Sequence, residues 1–255
     1  MNLVFASGFL VTQQFLGINY FCGLKKHLDE AGVHQSIFPL VDATGTSQRR
    51  AQQLADAIQA DYPTGPIHII AHSMGGLDSR TLIAANTHGL SNPGRIASLT
   101  TLSTPHRGSP VADLLAGPAP TDLRRVAYDA ITHLLDDFKI PTGALANLTT
   151  QAALRVPDVR QTHPHIRYRS YFASGRPGSR KTSFPLLPTY LYIREQTHED
   201  NDGVVSRSSA EYGDFQQPFW QCDHVDMIGY NLDVVHLGGF SFDHFAAIDR
   251  IISTL

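Results

Sequence analysis

The stretch Ile67-His68-Ile69-Ile70-Ala71-His72-Ser73-Met74-Gly75-Gly76 decides how the rest of the chain is read. Its first part is a short apolar run of the kind that forms a buried strand, and from Met74 onward the pattern is helical. Between the two stands a serine with a small residue two positions away on either side, Ala71 and Gly75. A strand that passes through a serine straight into a helix needs a turn so tight that larger flanking side chains would collide, and that turn lifts the hydroxyl above the sheet. It also sets Ser73 at a helix N-terminus, where backbone N–H groups and the helix dipole favour negative charge. Ala71 stands where the general pattern has its first glycine, a variant small enough for the turn. A chance turn is the competing explanation, and the strand before and helix after weigh against it. Ser73 is the candidate nucleophile.

Outward from this point, Leu3-Val4-Phe5-Ala6 reads as a buried strand ended by Ser7-Gly8. A helix is predicted over 20–31, stopped by Gly32, then a strand over 34–40. Ser47 can cap a helix to about residue 60, with Ala51, Leu54, Ala55 and Ile58 on one face. Further strands are predicted over 96–102, 167–173 and, last, 219–222, with a C-terminal helix over 241–252. Short apolar runs alternating with helices imply a mostly parallel sheet covered on both faces. In such sheets chemistry sits at the carboxyl ends of the strands.

One segment breaks the alternation. Over 121–139 the apolar residues Leu123, Val126, Ala127, Ala130, Ile131, Leu134, Leu135 and Phe138 recur at three and four, which predicts one strongly amphipathic helix. It can be a core-packing helix, or a lid whose apolar face covers an active site.

The chain has 255 residues, a formal net charge of −3, 42% hydrophobic and 17% charged residues, which fits a globular domain able to bury its own core. No basic excess or Lys/Arg run points to nucleic acid or an anionic membrane. No apolar stretch is long enough to predict a transmembrane helix. The start, Met1-Asn2-Leu3-Val4-Phe5, shows no basic region, long apolar segment or cleavage site, so no secretory signal is read. The two cysteines, Cys22 and Cys222, form no CxxC pattern and are expected to be free thiols.

A serine hydroxyl needs a base, and the base an orienting acid. Where such a strand–serine–helix turn carries the nucleophile, the chain order is serine, acid, histidine. Among 13 histidines, the one that follows the last predicted strand is His224, in Cys222-Asp223-His224-Val225-Asp226. His244 competes, but sits inside the predicted C-terminal helix, where packing is the better role. For the acid, Glu199-Asp200-Asn201-Asp202-Gly203 offers Asp202 and Asp200, between which the pattern does not choose. An oxyanion needs two backbone donors. The N–H of Met74, after the nucleophile, and that of Phe9, after Ser7-Gly8, are the candidates.

Taken together, these residues resemble the bacterial true lipases of the Pseudomonas, Burkholderia and Proteus type, which are triacylglycerol lipases of the α/β-hydrolase superfamily. The resemblance is carried by Gly17-Ile18-Asn19-Tyr20-Phe21-Cys22-Gly23-Leu24, Ala71-His72-Ser73-Met74-Gly75-Gly76, Ser103-Thr104-Pro105-His106-Arg107-Gly108-Ser109, Asn201-Asp202-Gly203-Val204-Val205 and Asp223-His224-Val225-Asp226. It is strongest over 3–115 and 201–235. It implies a single α/β-hydrolase domain over 1–255 with a lid insertion at about 112–150, selects Asp202 as the acid, and implies export for the relatives. Ser7-Gly8 departs from the His-Gly pair usual in the oxyanion loop. The resemblance also implies a structural calcium held by Asp226 and the carbonyls of Tyr230 and Val234. Its second aspartate has no counterpart over 176–188, and Ser208 stands where some relatives have a disulfide cysteine.

The expected function is a serine carboxylester hydrolase acting on lipid esters, with no cofactor in the chemistry. A short-chain esterase and an acyltransferase would use the same triad; chain-length series and product analysis with an added alcohol separate them. A binding protein that has lost its chemistry would fail to label Ser73 with a fluorophosphonate.

Overall fold

A computed structural model of the chain describes residues 1–8, 19–42, 45–122, 124–137, 142–175, 181–232 and 242–255. Its centre is a six-stranded sheet in the order β2-β1-β3-β4-β5-β6 with every pairing parallel. In chain order the elements are β1 (Asn2–Ala6), α1 (Leu24–Glu30), β2 (Ser36–Ile37), α2 (Ser47–Asp61), β3 (Ile67–His72), α3 (Met74–Ala85), β4 (Ile96–Leu102) and α4 (Pro110–Ala116). There follow α5 (Arg124–Asp137), α6 (Thr150–Ala153), β5 (Arg167–Tyr171), α7 (Leu187–Thr197), α8 (Arg207–Ala210), β6 (Asp214–Phe215) and α9 (His244–Ile252).

Side chains alternate across each strand, so the central strands must be apolar on both faces to bury both. Val4, Ala6, Ile67, Ile69 and Ala71 pack with Leu54, Ala55 and Ile58 of α2 and Leu82 and Ile83 of α3. On the other face Leu3, Phe5 and Ile70 meet Leu24 and Leu28 of α1 and Ile248 and Ile251 of α9. A third cluster lies beyond the strand ends: the side of α5 carrying Ile131 and Leu135, and Val111 and Ala112 of α4, close over Met74 and Leu77, and Ala127 of α5 is buried. Val126, expected on that apolar stripe, is 62% exposed. Leu123 and Phe138, and the side chain of Leu134, lie outside the described residues.

Several boundaries differ from the sequence expectation. The first helix begins at Leu24 rather than residue 20, because Gly23 takes a left-handed φ of 66° and starts the turn there. The strand expected over 34–40 shrinks to two paired residues, and that over 167–173 ends at Tyr171. The cap of α2 is Thr46, whose hydroxyl accepts the Arg49 N–H, not Ser47. The last strand is Asp214–Phe215 rather than 219–222; Pro218 has no N–H to give a ladder, and only Trp220 forms an isolated bridge, to Ala173. The helix expected from 241 runs from His244, capped by the Asp243 carboxylate on the Ala246 N–H.

Candidate active site

β3 ends at His72, and the next residue leaves the sheet with φ 54° and ψ −128°. A serine in that sparsely populated region is strained, and its surroundings must hold it there. They do so by close packing. A Cβ on Gly75 would collide with the Ala6 carbonyl and come within 2.8 Å of that of Ser7; a Cβ on Gly76 would strike Thr104. The Ser73 N–H is fastened to the Leu102 carbonyl at 3.0 Å. Ala71 is fully buried between the sheet and its helices, so a methyl group is accommodated where a glycine is more usual.

Above this turn, Ser73 Oγ lies 3.0 Å from His224 Nε2, and His224 Nδ1 lies 2.8 Å from Asp202 Oδ2. All three residues are buried. Asp202 Oδ1 accepts the N–H groups of Val204 and Val205 at 2.9 and 2.7 Å, a turn that Gly203 closes with φ 91°. A carboxylate so supplied is held in one orientation, with its other oxygen left for the imidazole. Asp200, the alternative acid, faces the other way, 3.9 Å from Arg194. His244, the alternative base, opens α9 and lies 2.8 Å, through Nε2, from the Cys22 carbonyl.

Met74 is the first residue of α3, so its N–H has no acceptor within the helix. Phe9 lies outside the described residues, but the loop that leads to it is anchored. Arg50 donates to the carbonyls of Ser7 (3.1 Å), Gly8 (3.2 Å) and Asp42 (2.9 Å), and pairs with Asp78 at 2.8 Å. Both side chains are about 1% exposed. Burial pushes the Asp78 carboxyl up to about 6 against the pull of the guanidinium. Arg50 thus orders the loop that has Ser7 in place of a histidine. Arg50 belongs to none of the sequence motifs, although its spacing is a signal: Arg50, Leu54 and Ile58 fall four apart, a charge on the buried stripe of α2.

The histidine loop has its own clasp. Asp223 is buried, and its two oxygens accept the Ser183 N–H (2.8 Å), the Ser183 hydroxyl (2.5 Å), and the N–H groups of Val225 (3.1 Å) and Asp226 (3.0 Å). Asp226 Oδ2 in turn accepts the Asp223 N–H at 3.0 Å. For a calcium the described residues supply the Asp226 carboxylate and the Tyr230 carbonyl, whereas Val234 lies outside them. Calcium takes six to eight oxygens. Among the described residues no three acidic, histidine or cysteine side chains cluster as a metal site, and the two donors named are fewer than a calcium takes. Cys22 and Cys222 are both free thiols, and Ser208 donates its N–H to Glu199.

Comparison with known proteins agrees with this architecture. A family model described as a PGAP1-like alpha/beta domain matches residues 43–116. Staphylococcus hyicus lipase superposes with a TM-score of 0.69 over 99% of this chain and 94% of its own, at 19% identity. In sequence, triacylglycerol lipase 2 of Saccharomyces cerevisiae is 30% identical over 223 residues. The chain has the fold of these lipases and is similar in sequence to triacylglycerol lipases. Triacylglycerol lipase of Vibrio cholerae is 26% identical to this chain, covering 89% of it and 78% of the relative. The match to the yeast protein covers 84% of this chain, which spans 64% of the relative's length. No described helix of the chain is long and apolar enough to cross a membrane.

Proposed function

We propose that this chain is a serine carboxylester hydrolase whose substrates are acylglycerol esters. One observation carries the reading: the unbroken line from Ser73 Oγ through His224, at 3.0 Å, to Asp202, at 2.8 Å. Ser73 Oγ attacks the ester carbonyl as His224 Nε2 takes its proton, and Asp202 fixes the tautomer and stabilises the imidazolium. The Met74 and Phe9 N–H groups receive the oxyanion, the first from the helix end, the second from the loop that Arg50 braces. His224 returns the proton to the leaving alcohol, which departs. Water then attacks the acyl-enzyme along the same path and frees the acid. No step calls on a cofactor.

The lipid preference is supported by the named relatives and by the apolar side of α5, which lies over Met74 and Leu77 beside the nucleophile. In this reading the region 112–150 is the lid and acyl-binding wall. The test is Ser73→Ala on p-nitrophenyl esters of increasing chain length. Rates should fall by roughly 10⁶ at every length, as for other triad nucleophiles; retention of most of the wild-type rate refutes the mechanism.

A further inference from the structure

Two side chains that the reaction does not touch stand behind the base. His72, the last residue of β3 and the neighbour of the nucleophile, is fully buried, and its ring centre lies 4.5 Å from that of His224. Its Nε2 is 3.0 Å from the His224 carbonyl oxygen, and its Nδ1 is 2.7 Å from the Tyr20 hydroxyl. A carbonyl oxygen only accepts, so Nε2 carries the hydrogen; Nδ1 is then bare in the neutral ring, and Tyr20 must donate to it. Both ring nitrogens are spent, and one tautomer is fixed. Tyr20 is buried too, directly beneath the loop after β1: a Cβ on Gly8 would overlap its hydroxyl and lie 2.8 Å from the Ser73 Cβ.

Asp202 holds His224 at two points, the ring and the backbone N–H. The Asp223 clasp holds the residues on either side, but none of these contacts reaches the His224 carbonyl. The carbonyl is a further point, and it is held by the residue covalently joined to Ser73. The circuit Ser73, His72 ring, His224 carbonyl, His224 ring, Ser73 hydroxyl is therefore closed, and it sets the separation of nucleophile and base. We propose that Tyr20 and His72 form a positioning strut that fixes His224 against Ser73 and couples it to the oxyanion loop at Gly8. The proposal rests on the serine-hydrolase reading above. Burial, with His224 beside it, keeps the His72 ring neutral, so it does not compete with His224 for the proton of Ser73.

The experiment is the series Tyr20→Phe, His72→Phe and His72→Gln, with rates divided by the sites titrated with a fluorophosphonate so that misfolded protein is not counted. A misplacement on the order of 1 Å costs roughly 10²-fold. On that scale Tyr20→Phe should lower kcat by about 10-fold and His72→Phe by about 10²-fold, both with KM unchanged. His72→Gln, whose amide can still donate to the His224 carbonyl, should recover about 10-fold of that loss. Wild-type kcat per titrated site in Tyr20→Phe, a loss carried by KM alone, or a Gln variant no better than Phe would overturn the strut. If His72→Phe does not fold, Tyr20→Phe decides. Ser73→Ala in the same series separates the two readings: activity there removes the serine mechanism itself, whereas an inactive Ser73→Ala beside a fully active Tyr20→Phe removes only the strut.

Discussion

Asp202 and His224 are joined twice: the carboxylate meets the imidazole Nδ1 at 2.8 Å, and the Asp202 carbonyl accepts the His224 N–H at 3.0 Å. The first link uses the side chain and the second does not, so a substitution can cut one and spare the other. Asp202→Asn should therefore keep the loop in place, with thermal melting close to wild type, while kcat falls by roughly 10⁴ through the wrong imidazole tautomer. A loss of activity that tracks a loss of folded protein would contradict this.

Gly75 tests the packing of the serine turn. It lies in α3 with no left-handed φ, so alanine should gain about 1 kcal/mol in helix propensity there. Against this, the new methyl would overlap the Ala6 carbonyl, a backbone atom held in the sheet by its pairing with Ala71. Overpacking of that kind costs about 1–3 kcal/mol, or more when neither side can shift. The contact should win, with Gly75→Ala less stable in urea by about 1 kcal/mol or more.

The Asp223–Ser183 clasp leads to an expectation about metal removal. Asp223 is saturated by four hydrogen-bond donors, and Asp226 already accepts a backbone N–H. We expect EDTA to leave the rate within about two-fold of untreated protein, and added calcium to shift the melting temperature by less than about 2 °C, since only a bound ligand adds stability. A ten-fold loss restored by calcium would show that the histidine loop is pinned by an ion instead.

Asp158 sets a pH dependence. The Arg160 guanidinium beside it, helped by the Tyr212 hydroxyl, holds its carboxyl well below the ordinary value of 3.8. A carboxyl depressed in the folded state adds stability that is fully present above 3.8 and drains away as the pH falls through the folded value. Asp158→Asn should thus lower the melting temperature at neutral pH, with the gap to wild type closing below about pH 3.8. The ion pair is half exposed, so the gap should also shrink in high salt.

Much of this was legible because local chemistry and long-range geometry coincide. The turn at Ser73 needs small neighbours within a few residues, which any reader of the string sees. Chain order then singles out His224 after the last strand. Asp202 was not separable from Asp200 by pattern, since what separates them is an inward-facing turn at Gly203 against an outward contact with Arg194. The strand expected over 219–222 shrinks to a single bridge, Trp220 to Ala173, because its other residues find no ladder partner, and pairing is a property of the partner, not of the run. Arg50, Tyr20 and Asp223 act through carbonyls, nitrogens and hydroxyls far away in sequence, and nothing in a one-dimensional pattern marks those partners.

The sheet's outermost strands, β2 and β6, are also its shortest, two residues each, whereas the strands between them run five to seven. An open sheet normally offers two long rows of unsatisfied N–H and C=O groups to any passing chain. Here each row ends almost as soon as it begins. Among the described residues the ladder tapers to nothing on both flanks, so neighbouring molecules find no template on which to zip together. A longer β2 or β6 would turn a self-limiting sheet into a growing one.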